Sequence, residues 1–105
     1  MDSKNEKYEI EFTEECRKEI DEIYEYISEK LRSENSAKRL MKKMRNTVMD
    51  LSESPSLYMK IEKKDKLKRD FRRIVIDNFV VLYTVDEICR IVYIVHMYYG
   101  RRDYL

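Results

Sequence analysis

The fold of this chain is decided by residues 71–97, FRRIVIDNFVVLYTVDEICRIVYIVHM. Val, Ile, Phe and Tyr dominate three segments of this stretch, and these residue types favour β-strands. The segments are 71–76, 79–85 and 88–97, separated by the two-residue links 77–78 and 86–87. Links of this length are typical of tight hairpin turns. The stretch therefore predicts a three-stranded antiparallel β-meander in which residue 76 faces 79 and residue 85 faces 88.

Both faces of this predicted sheet are largely apolar. The first face carries Arg72, Ile74, Ile76, Phe79, Val81, Tyr83, Arg90, Val92, Ile94 and His96. The second face carries Arg73, Val75, Val80, Leu82, Thr84, Cys89, Ile91, Tyr93, Val95 and Met97. An antiparallel sheet with one solvated face alternates apolar and polar residues along each strand, and these strands do not. Both faces are therefore expected to be covered.

Upstream of the meander, the pattern predicts one strand and two helices. KYEIEF (7–12) alternates apolar and charged residues, as a half-buried strand does. Thr13 then suits a helix N-cap. Apolar residues recur at steps of three and four, which is the stripe of an amphipathic helix: Cys16, Ile20, Ile23, Tyr24, Ile27 and Leu31. The segment 32–36 breaks this helix and offers Asn35 or Ser36 as the next N-cap.

A second helix is predicted over 37–51, and Pro55 forbids its continuation. Its apolar stripe comprises Ala37, Leu40, Met41, Met44, Val48 and Leu51. The short join predicts an antiparallel helical hairpin, which suffices to cover one face of the sheet. The second face is then covered either by the chain's own 56–70 connection and C-terminal tail or by another chain. Exposed apolar faces of this kind usually mark interaction surfaces, which favours another chain.

Composition predicts one small folded domain over 1–105, of α+β class. The chain is 41% charged and 43% hydrophobic, a balance typical of folded soluble proteins. No apolar stretch approaches transmembrane length and the first residues do not resemble a signal peptide, so a cytoplasmic protein without membrane contact is expected. Cys16 and Cys89 stand alone, with no CxxC pair and no histidine at metal-ligand spacing. We therefore expect reduced thiols, no metal and no cofactor.

The net charge of +1 hides a strong segregation along the chain. Residues 1–34 carry 12 acids and 6 bases, a net of −6, whereas residues 35–73 carry 13 bases and 5 acids, a net of +8. The basic third attracts polyanions or acidic protein segments, and the acidic third attracts basic partners. A solvated charged face explains either block equally well.

The order of these elements resembles the RelE/ParE superfamily of bacterial toxins. The resemblance rests on YEIEFTEECRKEIDEIYEYI (8–27), the helical stretch 37–51 with the following SESP, FRRIVIDNFVVLYTVD (71–86) and the closing IVYIVHMYYGRRDYL (91–105). It implies a fold of an N-terminal strand, a helical hairpin and a β-meander. It also implies the toxin of a type II toxin–antitoxin pair, blocked by a cognate antitoxin whose segment wraps around it.

The superfamily implies two mechanisms. RelE-like members cut messenger RNA on the ribosome, and ParE-like members inhibit DNA gyrase. RelE-like toxins carry an arginine just after the aromatic residue that opens the central strand, whereas Val80 follows Phe79 here. An apolar side chain cannot stabilise the charge that builds on a phosphate, so the resemblance favours the ParE-like side.

The alternative is a metal-independent endoribonuclease. Its candidate catalytic residues are His96 and Tyr99 for proton transfer and Arg73, Arg101 and Arg102 for the phosphate. In the predicted register His96 lies on the opposite face from Arg73, so these residues converge only if a bulge intervenes. A third alternative is a degenerate member that only binds its antitoxin and regulates transcription with it.

Two further sets of residues are candidates for binding. The surface for the antitoxin or the target is expected to include Val80, Leu82, Ile91, Tyr93, Tyr98, Arg101, Arg102 and Tyr104. The tail VHMYYGRRDYL (95–105) is thus interpreted as a docking element more than as an active site. A basic loop comprises Lys63, Lys64, Lys66, Lys68 and Arg69. Its positive charges could contact ribosomal RNA phosphates, attract an acidic antitoxin segment or simply keep the loop solvated. Direct sequence-specific DNA binding is not expected, because no recognition-helix pattern occurs.

Overall fold

A computed structural model describes residues 7–100 as one five-stranded sheet with two helices. The elements are β1 (Glu9–Phe12), α1 (Glu14–Glu25), α2 (Glu34–Met49), β2 (Lys60–Lys64), β3 (Asp70–Ile76), β4 (Phe79–Asp86) and β5 (Ile91–Tyr99). The strand order is β1-β5-β4-β3-β2, with β1 parallel to β5 and the other neighbours antiparallel. Within the described residues, no helix combines the length and the apolar character needed to cross a membrane.

The predicted cap of the first helix is confirmed, and the helix ends differently from the prediction. The Cys16 N–H donates to Thr13 Oγ1 at 3.1 Å, and acidic residues occupy the first turn of α1. After Glu25 the chain forms a π-helical turn, Tyr26–Lys30, closed by the Leu31 N–H donating to the Tyr26 carbonyl at 3.1 Å. This wider turn gives the segment a different side-chain spacing from the 3.6-residue stripe.

The second helix begins earlier than predicted. The N-cap of α2 is Ser33, so the predicted caps, Asn35 and Ser36, lie inside the helix. The Ser33 hydroxyl donates to the Ser36 hydroxyl at 2.6 Å across the first turn of the helix. The predicted apolar stripe is confirmed, because α2 buries Ala37, Leu40, Met41, Met44 and Val48.

One of the two predicted hairpins has the predicted register. Ile76 pairs with Phe79 across a two-residue link in which Asp77 has a φ of 55°. The second predicted hairpin is wrong: residue 85 faces Val92, because a four-residue turn at 87–90 joins β4 to β5. The physical reason is the preceding carboxylate of Asp86.

The Asp86 carboxylate closes this longer turn. Its Oδ1 accepts the N–H groups of Ile88 and Cys89 at 3.0 Å each. The Cys89 N–H foremost, together with that of Ile88, holds the pKa of Asp86 below its ordinary value. Arg90 completes the turn with a φ of 58°.

A bulge in β5 changes the faces of the last strand. Leu82 pairs with His96 and Tyr83 pairs with Ile94, so Val95 is an extra residue on β5. The bulge reverses the alternation beyond this point. Met97, predicted on the second face, is therefore only 1% exposed in the core beneath the helices.

The 56–70 connection contains an edge strand, β2. Strand β2 pairs with β3, and the Asp70 carboxylate forms ion pairs with Lys60 at 3.3 Å and with Lys64. Asp65 closes the β2–β3 turn by accepting the N–H groups of Leu67 and Arg69. The sheet therefore has five strands where the sequence predicted a three-stranded meander and a separate first strand.

The chain covers much of the second face of the sheet by itself. One core lies between the helices and the sheet, with Tyr83 fully buried. A smaller cluster on the second face buries Phe71, Val80, Leu82 and Tyr98, packed by Ile61 and Val95. Leu82 is 0% exposed. Among residues 7–100 the centre of the second face is covered by the chain itself and not by the other chain that the sequence analysis favoured, whereas Val75 on this face is 63% exposed.

The two cysteines should differ sharply in reactivity. Cys16 is fully buried, and its burial, followed by the nearby carboxylates of Glu19 and Glu15, raises the pKa of its thiol to about 12. Cys89 is exposed. The thiolate is the reactive form, so at pH 8 we expect one rapid equivalent with a thiol-specific chromogenic reagent. The second equivalent should appear only in denaturant.

A Cys89→Ser variant supplies the control for this titration. It should show no rapid equivalent in native buffer and one equivalent in denaturant. Two thiols that react at equal rates in the native protein would contradict the buried position of Cys16.

Candidate functional site

An open groove lies between the end of the first helical segment and the ends of β4 and β5. Its volume is about 660 Å³. The lining residues are Glu19, Glu22, Ile23, Tyr26, Leu31, Phe79, Met97, Tyr98 and Tyr99. Most of these side chains are apolar or aromatic. Concave sites of this character are the usual binding sites of a folded domain.

The groove gathers large apolar side chains that remain exposed. Tyr26 and Leu31 are each 56% exposed and Tyr99 is 42% exposed. Phe79 and Tyr99 pack edge to face, with ring centroids 5.7 Å apart. The π-helical turn places Tyr26 and Leu31 at one end of the groove. Clustered exposure of this kind marks an interaction surface, whereas single exposed apolar residues do not.

Two carboxylates border the groove, which gives it a negative rim. Glu19 and Glu22 line it from α1. Both belong to the acidic third of the chain, whose net charge is −6. Among the described residues, no lysine or arginine lines the groove. The electrostatics therefore favour an apolar ligand segment that also carries positive charge.

The side chain of His96 contacts a carboxylate of α1. Its Nδ1 lies 3.1 Å from Glu19 Oε2, and Glu19 Oε1 accepts the Met97 N–H at 2.9 Å. The imidazole is thus held at the bulge of β5 by a carboxylate from the helix. A carboxylate in this position orients the imidazole ring.

Three of the candidate nuclease residues are described, Arg73 on β3 and His96 and Tyr99 on β5. Arg73 and His96 both pair with Leu82, so their backbones lie two strand spacings, about 10 Å, apart. The bulge that the sequence analysis required does occur, and it places Arg73, Leu82 and His96 in one row across three strands. Tyr99 is three residues beyond His96, about 10 Å along the strand. Arg101 and Arg102 lie outside the described residues.

The predicted docking residues divide by burial. Val80, Leu82 and Tyr98 are 7%, 0% and 8% exposed. These side chains are therefore buried beneath the surface and offer a partner little area for contact. Ile91 and Tyr93 are half-buried, and the Arg69 guanidinium lies 5.3 Å from the centroid of the Tyr93 ring. The other predicted residue, Tyr104, lies outside the described residues.

Sequence reasoning missed most of the groove. Tyr26 falls off the apolar stripe that predicted α1, and Leu31 was assigned to the helical core. The available signal was Tyr26 itself, a large aromatic residue on the nominally polar side of an amphipathic helix. Only the fold brings it beside Phe79 and Tyr99.

Some residues of the basic loop form ion pairs that stabilise the fold. Arg69 forms ion pairs with Asp65 at 2.7 Å and with Asp86 at 3.7 Å, so its charge helps to hold the β2–β3 turn against β4. Lys64 pairs with Asp70. The side chains of Lys63, Lys66 and Lys68 are exposed along this edge of the sheet.

A sequence profile described as the ParE toxin of the type II toxin–antitoxin system parDE matches residues 10–104. The chain belongs to the ParE toxin family. This ParE-family protein is accordingly the toxin component of a type II toxin–antitoxin module, as the resemblance to the RelE/ParE superfamily implied. No curated protein sequence matches it closely enough to count as a relative.

Solved structures of toxin–antitoxin complexes share the fold of this ParE-family toxin. A chain of the chromosomal ParDE system of P. aeruginosa superposes with a TM-score of 0.70 at 12% identity, covering 90% of this chain and 97% of the other. A chain of the archaeal RelE–RelB complex of Pyrococcus horikoshii OT3 gives 0.64 at 13%, covering 92% and 99%. A chain of the RelBE2 complex of Mycobacterium tuberculosis gives 0.60 at 17%, covering 89% and 98%.

Proposed function

We propose that a cognate antitoxin holds this ParE-family toxin inactive by inserting an apolar segment into the groove, and that the free toxin inhibits DNA gyrase in the cytoplasm. The observation that carries the antitoxin proposal is the exposure of Tyr26, Leu31 and Tyr99 around one concavity. The family supplies the class of partner, because parDE modules pair a toxin with an antitoxin.

The groove sets requirements on the antitoxin segment. Its volume of about 660 Å³ accepts several side chains, so a short helix or extended peptide with two or three apolar anchors fits. Glu19 and Glu22 at the rim favour a segment that carries Lys or Arg beside these anchors. The half-buried Ile91 and Tyr93 offer a second contact on the other side of the sheet, if the segment wraps around the toxin.

Gyrase is proposed as the target because the chain lacks the central-strand arginine that the RelE-like resemblance requires. Val80 is buried at the position where the RelE-like resemblance requires an arginine. The His96 imidazole lies against the Glu19 carboxylate, and Arg73 is two strands away from it, on β3. Family membership on the ParE side adds to this argument.

The proposal predicts opposite results in two assays of the purified toxin. Supercoiling of relaxed plasmid by gyrase should be inhibited at micromolar toxin, and added antitoxin should restore it. Messenger RNA in a translating extract should stay full length. Truncated messenger RNA would establish the endoribonuclease alternative, and failure of both assays would establish a degenerate toxin.

His96→Ala separates the two targets within the cell. Under the gyrase proposal, growth inhibition by this variant should stay within about twofold of the unmodified toxin, since His96 contacts a helix and not a substrate. Circular dichroism should confirm that the variant is folded. Loss of growth inhibition in a folded variant would contradict the proposal and favour RNA cleavage.

A further inference from the structure

Three metal-ligating side chains meet beside the β5 bulge. Glu15 and Glu19 lie one helical turn apart on α1, and His96 faces them from β5. One carboxylate oxygen of each glutamate and one imidazole nitrogen lie within 4.8 Å of one another. The histidine is 77 residues from Glu19 in the chain, so no sequence spacing reveals the group.

We propose that Glu15, Glu19 and His96 bind a divalent transition-metal ion, with Zn²⁺ as the reference ion. One nitrogen and two carboxylate donors, two of them four residues apart on a helix, are a donor set that Zn²⁺ takes at about 2.0–2.2 Å. Donor atoms around a tetrahedral ion lie about 3.4 Å apart. The present separations of up to 4.8 Å therefore need a shift of little more than 1 Å.

The surroundings of the three ligands fit this role. The side chains of His96 and Glu19 are only 17% and 12% exposed, so the ion would be partly shielded from water. The Met97 N–H donates to Glu19 Oε1 at 2.9 Å and fixes that carboxylate, as an outer hydrogen bond does for a metal ligand. Glu15 is exposed and supplies the adjustable third ligand.

The donor set also predicts selectivity. The imidazole nitrogen suits Zn²⁺, Co²⁺ and Ni²⁺, whereas Mg²⁺ and Ca²⁺ prefer sites made of oxygen alone. A bound ion would replace the contact of 3.1 Å between His96 Nδ1 and Glu19 Oε2 with two metal bonds. It would then link α1 to β5 at one wall of the groove, because Glu19 also lines that groove.

The first experiment measures the effect of ZnCl₂ on the Tm of metal-stripped protein. A Cys89→Ser background removes the exposed thiol as a competing ligand. At a hundredfold excess of Zn²⁺ over its Kd, the Tm should rise by about 10 °C, and the same concentration of Mg²⁺ should leave it unchanged.

Two matched variants separate the proposed site from general carboxylate binding. Glu15→Gln removes one ligand and leaves the Glu19–His96 contact in place. Glu14→Gln removes the same charge from the same helical turn, outside the site. Titration calorimetry should show Zn²⁺ affinity at least about tenfold weaker for Glu15→Gln and unchanged for Glu14→Gln. Equal affinities for the two variants, or no saturable binding, would overturn the proposal.

Co²⁺ supplies a readout that a merely structural role would not change. The bound ion should give visible d–d absorption, and His96→Gln should abolish it while Glu14→Gln keeps it. An unchanged Co²⁺ spectrum in the folded His96→Gln variant would show that the histidine is not a ligand, which also overturns the proposal.

Discussion

Leu31→Asp is expected to weaken the binding of the cognate antitoxin about a hundredfold, which corresponds to about 2.7 kcal/mol. Leu31 lines the groove and is 56% exposed, so the folded toxin tolerates the change. In the complex the new carboxylate would lose its water and face Glu19 and Glu22. An apolar antitoxin anchor cannot compensate that charge.

Leu57→Asp is the matched control for this substitution. Leu57 is 60% exposed and is not among the residues that line the groove. Surface plasmon resonance against immobilised antitoxin should give an unchanged Kd for this variant. In cells that express both proteins, the Leu31→Asp toxin should escape neutralisation and stop growth. Equal affinity of the two variants would place the antitoxin elsewhere on the toxin.

Tyr83→Ala is expected to lower the free energy of unfolding by about 3–5 kcal/mol. Tyr83 is fully buried in β4, the central strand of the sheet, and its ring packs beneath the helices. Its hydroxyl donates to the Pro55 carbonyl at 2.8 Å, which ties the segment after α2 to the sheet. A loss of this size is a large fraction of the stability of a small domain.

Tyr83→Phe separates the ring from the hydroxyl. It keeps the packing and loses one hydrogen bond, so its cost should be about 1 kcal/mol. Urea denaturation followed by circular dichroism gives both values, provided that the slopes of the transitions agree. Similar costs for the two variants would mean that the hydrogen bond to Pro55 outweighs the packing of the ring.

Local signals predicted the elements that depend on neighbouring residues alone. The alternation in 7–12, the Thr13 cap and the stripe of α2 concern residues within a few positions of each other. The Asp77–Asn78 link also specified its register, because a two-residue loop allows little freedom. The sequence signal for strand β2 was weaker, because its pairing with β3 involves ion pairs of Asp70 with two lysines of β2.

The candidate site was less predictable than the fold. Val80, Leu82 and Tyr98 were expected to form a docking surface. The apolar pattern of a strand predicts that its side chains are buried, but it does not show whether the same chain or a partner buries them. The chain itself covers them, through Phe71 and its neighbours on the second face. The exposed apolar residues lie instead in the groove, which combines the π-helical turn with the ends of two strands.

The sequence by itself determined the α+β class, the helical hairpin, the β3–β4 hairpin and the resemblance to RelE/ParE toxins. These follow from periodicity and turn length, which are properties of short segments. Only the tertiary structure decided the Val95 bulge, the partners of His96 and the wall of the groove. Those features arise where distant segments meet, such as Glu19 and Met97, which are 78 residues apart, and their geometry depends on side-chain contacts that no local pattern encodes.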